Sequence, residues 1–107
     1  MKSLLYILLL FLSLPIVAQN AVGTVIDEDG EPIPYASVYV KNDPIGGTMT
    51  DMDGRYNLKI DSLIAPDDEV IFSFIGYRTE EFSVASIISD SNFTVTLVEQ
   101  PIMLEGA

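Results

Sequence analysis

Asp53-Gly54, followed by strict alternation from Arg55 to Ile60, sets the tightest limit on how this chain can fold. Glycine reaches positive φ without steric cost and aspartate tolerates it, so the dipeptide reads as a tight turn. Beyond it, Tyr56, Leu58 and Ile60 fall on one face and Arg55, Asn57 and Lys59 on the other. Period two with one apolar face is the pattern of a strand half-buried against a core. Ahead of the turn, Thr48-Met49-Thr50 offers a short partner, so residues 47–60 are expected to form a β-hairpin. Turn and strand account for every residue in the stretch.

The same grammar extends in both directions. Ala21 to Asp27 is rich in β-branched residues and reads as a strand. Asp27-Glu28-Asp29-Gly30-Glu31-Pro32 is a loop, repeating the Asp-x-Asp-Gly turn of residues 51–54. Tyr35 to Lys41 alternates, with Ala36, Val38 and Val40 predicted inward. Residues 42–47 form a second loop and residues 61–68 an acidic connection. Glu69 to Ile75 is apolar on both faces and is expected to be the most deeply buried strand. Gly76-Tyr77 bends the chain, Arg78 to Val84 is a more polar strand, and residues 85–91 are small enough for a single helical turn. Asn92 to Val98 alternates again, with Phe93, Val95 and Leu97 on one side. About seven short strands separated by turn signals predict an all-β fold, a small antiparallel β-sandwich.

The first residues stand apart from that domain. Met1-Lys2-Ser3 is a basic start, Leu4 to Leu12 an almost unbroken apolar run, and Pro15 precedes Ile16-Val17-Ala18-Gln19. The layout is that of a signal peptide, residues 1–18, cleaved after Ala18. A spanning helix would need about 20 apolar residues, more than this run supplies. The expected organisation is therefore a leader at 1–18, one domain at 20–99 and a tail at 100–107. The chain is expected to be exported, to the periplasm or outer membrane. It has no cysteine, so neither disulfide staples nor a disulfide-linked partner is available, and packing alone must hold the domain.

Sixteen acidic residues against five basic ones give a formal net charge of −11. Such a balance argues against nucleic acid and anionic membrane surfaces as partners, and favours basic protein surfaces. Histidine is absent as well as cysteine, so Ser-His-Asp and Cys-His arrangements and the usual zinc ligands cannot be assembled. No enzymatic activity and no cofactor are expected. Asp51 and Asp53 are the weak calcium candidates, but an EF-hand would need oxygen ligands where Arg55 and Ser62 stand. The competing reading assigns Asp51 and Asp53 to Asx-type bonding of their own backbone, and Asp29-Gly30 and Asp53-Gly54 to structural turns. Tyr35 and Tyr39, four apart on a predicted strand, and Tyr77 are candidates for an exposed aromatic platform for a glycan or peptide. Shielding of the sheet is the alternative.

Three segments together carry a family likeness. Gly23-x-Val25-x-Asp27-x-x-Gly30-x-Pro32-x-Pro34-x-Ala36-Ser37-Val38-x-Val40 resembles the opening of the carboxypeptidase regulatory-like domain. Gly47-Thr48-x-Thr50-Asp51-x-Asp53-Gly54-x-Tyr56-x-Leu58 resembles its central hairpin, and Phe72-Ser73-Phe74-Ile75-Gly76-Tyr77-x-Thr79 resembles the version in exported proteins of Bacteroidota. The resemblance implies a transthyretin-like β-sandwich without catalytic residues of its own. It further implies a place near the N-terminus of TonB-dependent outer-membrane receptors that import glycans, including the starch-utilisation type. There the domain would lie on the periplasmic side, ahead of the TonB-contacting segment and the plug. Its partners would then be the receptor's plug or barrel, or an energy-transducing component, with the apolar Ile102-Met103-Leu104 tail leading into the next element. The alternative is a free-standing exported β-sandwich that binds a protein partner or a cell-surface glycan.

Overall fold

The computed structural model describes residues 19–61 and 63–100. The expected leader at 1–18, the tail beyond Gln100 and Ser62 lie outside the described residues. Seven strands and one short helix follow in the order β1 (Gln19–Ile26), β2 (Ser37–Val40), β3 (Asp43–Met49), β4 (Arg55–Ile60), β5 (Glu69–Ser73), β6 (Glu80–Ser83), α1 (Val84–Ile88) and β7 (Phe93–Thr96). They form two sheets, one ordered β4-β1-β7 and the other β3-β2-β5-β6. The fold is a small all-β sandwich.

The alternation of β4 survives intact: Tyr56, Leu58 and Ile60 are buried and the residues between them exposed. Their partners across the core include Val38, Val70 and Phe72. The Tyr56 ring meets Phe72 edge-on at 5.1 Å, and Phe82 extends the stack on to Phe93. A tyrosine in that position needs an outlet for its hydroxyl, and it finds one by donating to the Phe93 carbonyl at 2.8 Å. The path crosses β1 at Gly23, where any Cβ would collide with both the Phe93 carbonyl and the Tyr56 hydroxyl. Glycine is required there for close approach.

The expected hairpin is not one. β3 and β4 belong to different sheets, so the turn between them is a corner that carries the chain from one layer to the other. Hydrogen bonds on each side of the corner fix this. Thr50 N–H donates to the Ala36 carbonyl and the Thr50 carbonyl accepts from Tyr35 N–H, tying the end of β3 to the β2 side. Four residues later the Gly54 carbonyl accepts from Val25 N–H at 2.7 Å, committing β4 to β1. Periodicity reports which face of a strand is buried and not which strand lies beside it.

Other boundaries also move. β3 begins at Asp43, inside the predicted loop, because an edge strand tolerates Pro44 and two glycines. Its pairing with β2 shifts register between Val38 and Val40. β5 is buried at its three central residues, as expected, but stops at Ser73. Phe74 and Ile75 enter a turn closed by Tyr77 N–H on the Phe74 carbonyl, which leaves Ile75 79% exposed. Val84 opens α1 instead of ending β6, since Ser83 caps the helix by accepting from Ser86 N–H. That helix buries Val84 and Ile87 and makes the crossover that sets β7 parallel to β1. Every other strand pair is antiparallel.

Candidate functional site

The loops at the far end of β1 converge on an acidic cleft. Two turns near that end of β1, one lining the cleft and one beside it, share one local device. Asp27 Oδ1 accepts from the N–H groups of Asp29 and Glu31, both at 2.9 Å. Asp51 Oδ1 accepts from those of Asp53 and Arg55, again both at 2.9 Å. Each Asp-x-Asp-Gly segment is thus folded around its first aspartate. Asp29 and Asp53, the second aspartates, offer side chains that hold neither turn. Gly30 and Gly54 complete the turns at φ +81° and +74°. They differ in surroundings: a Cβ on Gly30 meets nothing, whereas one on Gly54 would meet the Val25 carbonyl at 2.6 Å.

The cleft, roughly 320 Å³, is lined by Asp27, Glu28, Asp29, Tyr77, Leu97 and Glu99. Residues 98–100 leave β7 and lie against the Gly76 turn, with Arg78 N–H on the Val98 carbonyl and Gln100 N–H on the Gly76 carbonyl, both 2.8 Å. This antiparallel bridge sets Tyr77 opposite Glu99. Tyr77 also packs its ring on Phe74 at 5.8 Å. Partial burial first, and then the charges of Glu99, Asp27 and Asp29, push its phenol above the ordinary tyrosine range. Glu99 and Asp27 are brought together here from opposite ends of the sequence. Their nearness has no signal in the local pattern.

The expected calcium candidates fall outside this arrangement. Asp51 lends one oxygen to two backbone amides, and among the described residues no three metal-ligating side chains gather to hold an ion. The three tyrosines occupy separate settings. Tyr39 lies half-buried on β2 opposite Ile71, and Tyr77 faces the cleft. Tyr35 precedes β2 at φ +64°, out of its alternation, so the two do not share a strand face as expected. Tyr35 is 57% exposed, and its hydroxyl donates to the Met52 sulfur at 3.1 Å. Among the described residues, no ring pair joins any two of these tyrosines.

One residue that alternation could not flag organises the neighbourhood of Tyr35. Thr50 is buried, and its hydroxyl donates to the Ile33 carbonyl at 2.6 Å while accepting from Ala36 N–H at 2.8 Å. It is inserted into the turn Ile33-Pro34-Tyr35-Ala36, replacing the direct bond that would otherwise close it.

The described residues thus form a two-layer sandwich whose loops gather carboxylates at one end. The chain belongs to the CarboxypepD_reg-like domain family, whose model matches residues 21–106. It is 38% identical over 84 residues to TonB-dependent receptor P39 of Formosa agariphila, covering 75% of this chain and 8% of that protein. TonB-dependent receptor P3 of the same organism is 34% identical over 102 residues, 91% of this chain and 9% of that receptor. TonB-dependent receptor SusC of Bacteroides thetaiotaomicron is 39% identical over 79 residues, 72% of this chain and 7% of that receptor. The chain therefore spans less than a tenth of the length of these relatives.

Proposed function

We propose that this chain is the N-terminal domain of a TonB-dependent receptor for nutrient uptake, of the glycan-importing kind. In this reading residues 1–18 are the leader, residues 20–99 the domain and residues 100–107 the connection to the rest of the receptor. The domain stands on the periplasmic side of the outer membrane and contacts the plug, the barrel or an energy-transducing component. It works without catalysis and without a cofactor, its Asp-x-Asp-Gly turns serving as structure. The observation that carries the reading is the family match across nearly the whole domain, shared with receptors more than ten times its length. Among the described residues no helix is long and apolar enough to cross a membrane, so the reading assigns membrane attachment to the remainder of the receptor.

An antibody raised against the domain tests this directly on fractionated cells of the source organism. The expected result is a band of receptor size in the outer-membrane fraction. A band near the 107-residue chain's own mass, free in the soluble envelope fraction, would support the free-standing binder in its place.

A further inference from the structure

We propose that the open edge of β4, with the outer face of its sheet, binds an extended, carboxylate-bearing polypeptide segment of a partner protein. This goes beyond the receptor reading and does not depend on it.

The charge pattern comes first. Arg55, Asn57 and Lys59 project outward on β4, beside Thr24, Val22 and Asn20 of β1, and β7 adds only threonines. Among the described residues, none of the outward positions within these three strands carries a carboxylate, in a chain with 16 acidic residues. The outer face of the other sheet carries Glu69 and Glu81. Two of the chain's five basic residues are therefore concentrated on one strand. Among the described residues neither has an ionic partner, the one ion pair being Lys41–Glu69. The net charge of the whole chain favours basic partners; this face favours the reverse.

The backbone supplies the second observation. Arg55 donates its N–H to Asp51 Oδ1 and accepts Asp51 N–H at its carbonyl, so its polar groups point away from β1. Asn57 and Lys59 share its parity and turn theirs the same way. No described strand pairs with that side of β4. It carries no proline and no bulge, the usual guards of an exposed edge. An added strand would satisfy the amide and carbonyl groups of Asn57 and Lys59. Its carboxylates, four residues apart, would meet Arg55 and Lys59, about 13 Å from each other along β4.

These features select a polypeptide over other anions. A lipid surface or an acidic polysaccharide has no backbone to pair with the edge, and a long polyanion is repelled by the net charge of −11. Among the described residues, the outward positions of these strands also hold no aromatic ring on which a sugar would stack.

The test is an amide chemical-shift titration of the isotope-labelled chain with the peptide acetyl-Thr-Glu-Val-Thr-Val-Glu-Thr-amide. The expected shifts cluster at Asn57, Lys59 and their β1 neighbours, and binding weakens as salt rises from about 20 to about 300 mM. Reversing both charges, Arg55→Glu with Lys59→Glu, should weaken binding at least about tenfold. Asn57→Pro deletes the outward N–H while leaving the β1 ladder its bonds, and it should abolish the shifts with the fold retained. Shifts centred on the Asp27–Tyr77 cleft would overturn the proposal. So would equal binding of the peptide with lysine in place of glutamate, or undiminished binding to the Asn57→Pro variant. Tighter binding of alginate or of phosphatidylglycerol vesicles than of the peptide would overturn it too.

Discussion

At the scale of single residues, the structure concentrates cost where the sequence shows nothing unusual. Tyr35 sits at positive φ without a glycine's freedom, a conformation that costs roughly 1–2 kcal/mol for an ordinary side chain. Asparagine tolerates that region, so Tyr35→Asn should raise stability by about 0.5–1 kcal/mol in denaturant unfolding. A loss instead would mean that the Met52 contact outweighs the strain. Thr50→Val keeps the shape but strands the Ala36 N–H and the Ile33 carbonyl in the interior. It should cost about 2 kcal/mol or more, against well under 1 kcal/mol for Thr94→Val on the outer face. Tyr56 makes the domain sensitive to alkali. Burial, with a smaller push from Asp90, raises its pKa beyond the ordinary tyrosine range. The folded chain then holds the phenolic proton more tightly than the unfolded chain. Stability is complete below about pH 10 and falls above it, by up to about 1.4 kcal/mol per pH unit. Urea melts at a series of pH values should show that slope, and Tyr56→Phe should flatten it.

Among the elements, the corner at residues 51–55 shows what sequence can and cannot deliver. Its turn chemistry was legible in Asp51-x-Asp53-Gly54, and so was the buried face of β4. The destination of β4 was not, because alternation is a property of one strand and pairing a property of two. The same limit hid the parallel alignment of β7 with β1, although the small residues of 85–91 did suggest the single helical turn of α1 that leads into β7. It also hid the cleft, where Glu99 joins Asp27 and Asp29 through the strap at residues 98–100. Placing Tyr35 and Tyr39 on one face failed for a more local reason: nothing in Pro34-Tyr35-Ala36 announces a left-handed tyrosine. The corner itself yields a sharp expectation. Gly54→Val must hold a β-branched residue at φ +74° and force its Cβ against the Val25 carbonyl and Pro32. A loss of at least about 2 kcal/mol is expected from the shift in denaturant midpoint, whereas Gly30→Asn, with open space around it, should cost little. Equal losses at the two glycines would show that the corner is not what joins the layers.

For the whole molecule, the parallel pairing of β1 and β7, the first and last of the described strands, bears on how the domain carries tension. β1 enters at Gln19 and β7 leaves beyond Thr96, with Gly23 beside Phe93 and Ile26 beside Thr96. Drawing the two chain ends apart slides these neighbours past each other, so their hydrogen bonds lie across the load and must fail together. Antiparallel β1 and β4, by contrast, meet end to end at Gln19 and Ile60, and a pull between those residues opens the ladder one bond at a time. Forced unfolding follows the height of the barrier to rupture instead of the equilibrium stability. A single-molecule tether at residues 19 and 100 should therefore break at distinctly higher force than one at residues 19 and 60, in the same protein with the same stability. Equal forces would show that the strands part by some other route. With the strands so arranged, the sandwich is a stiff link along the axis joining its ends and a weak one across it.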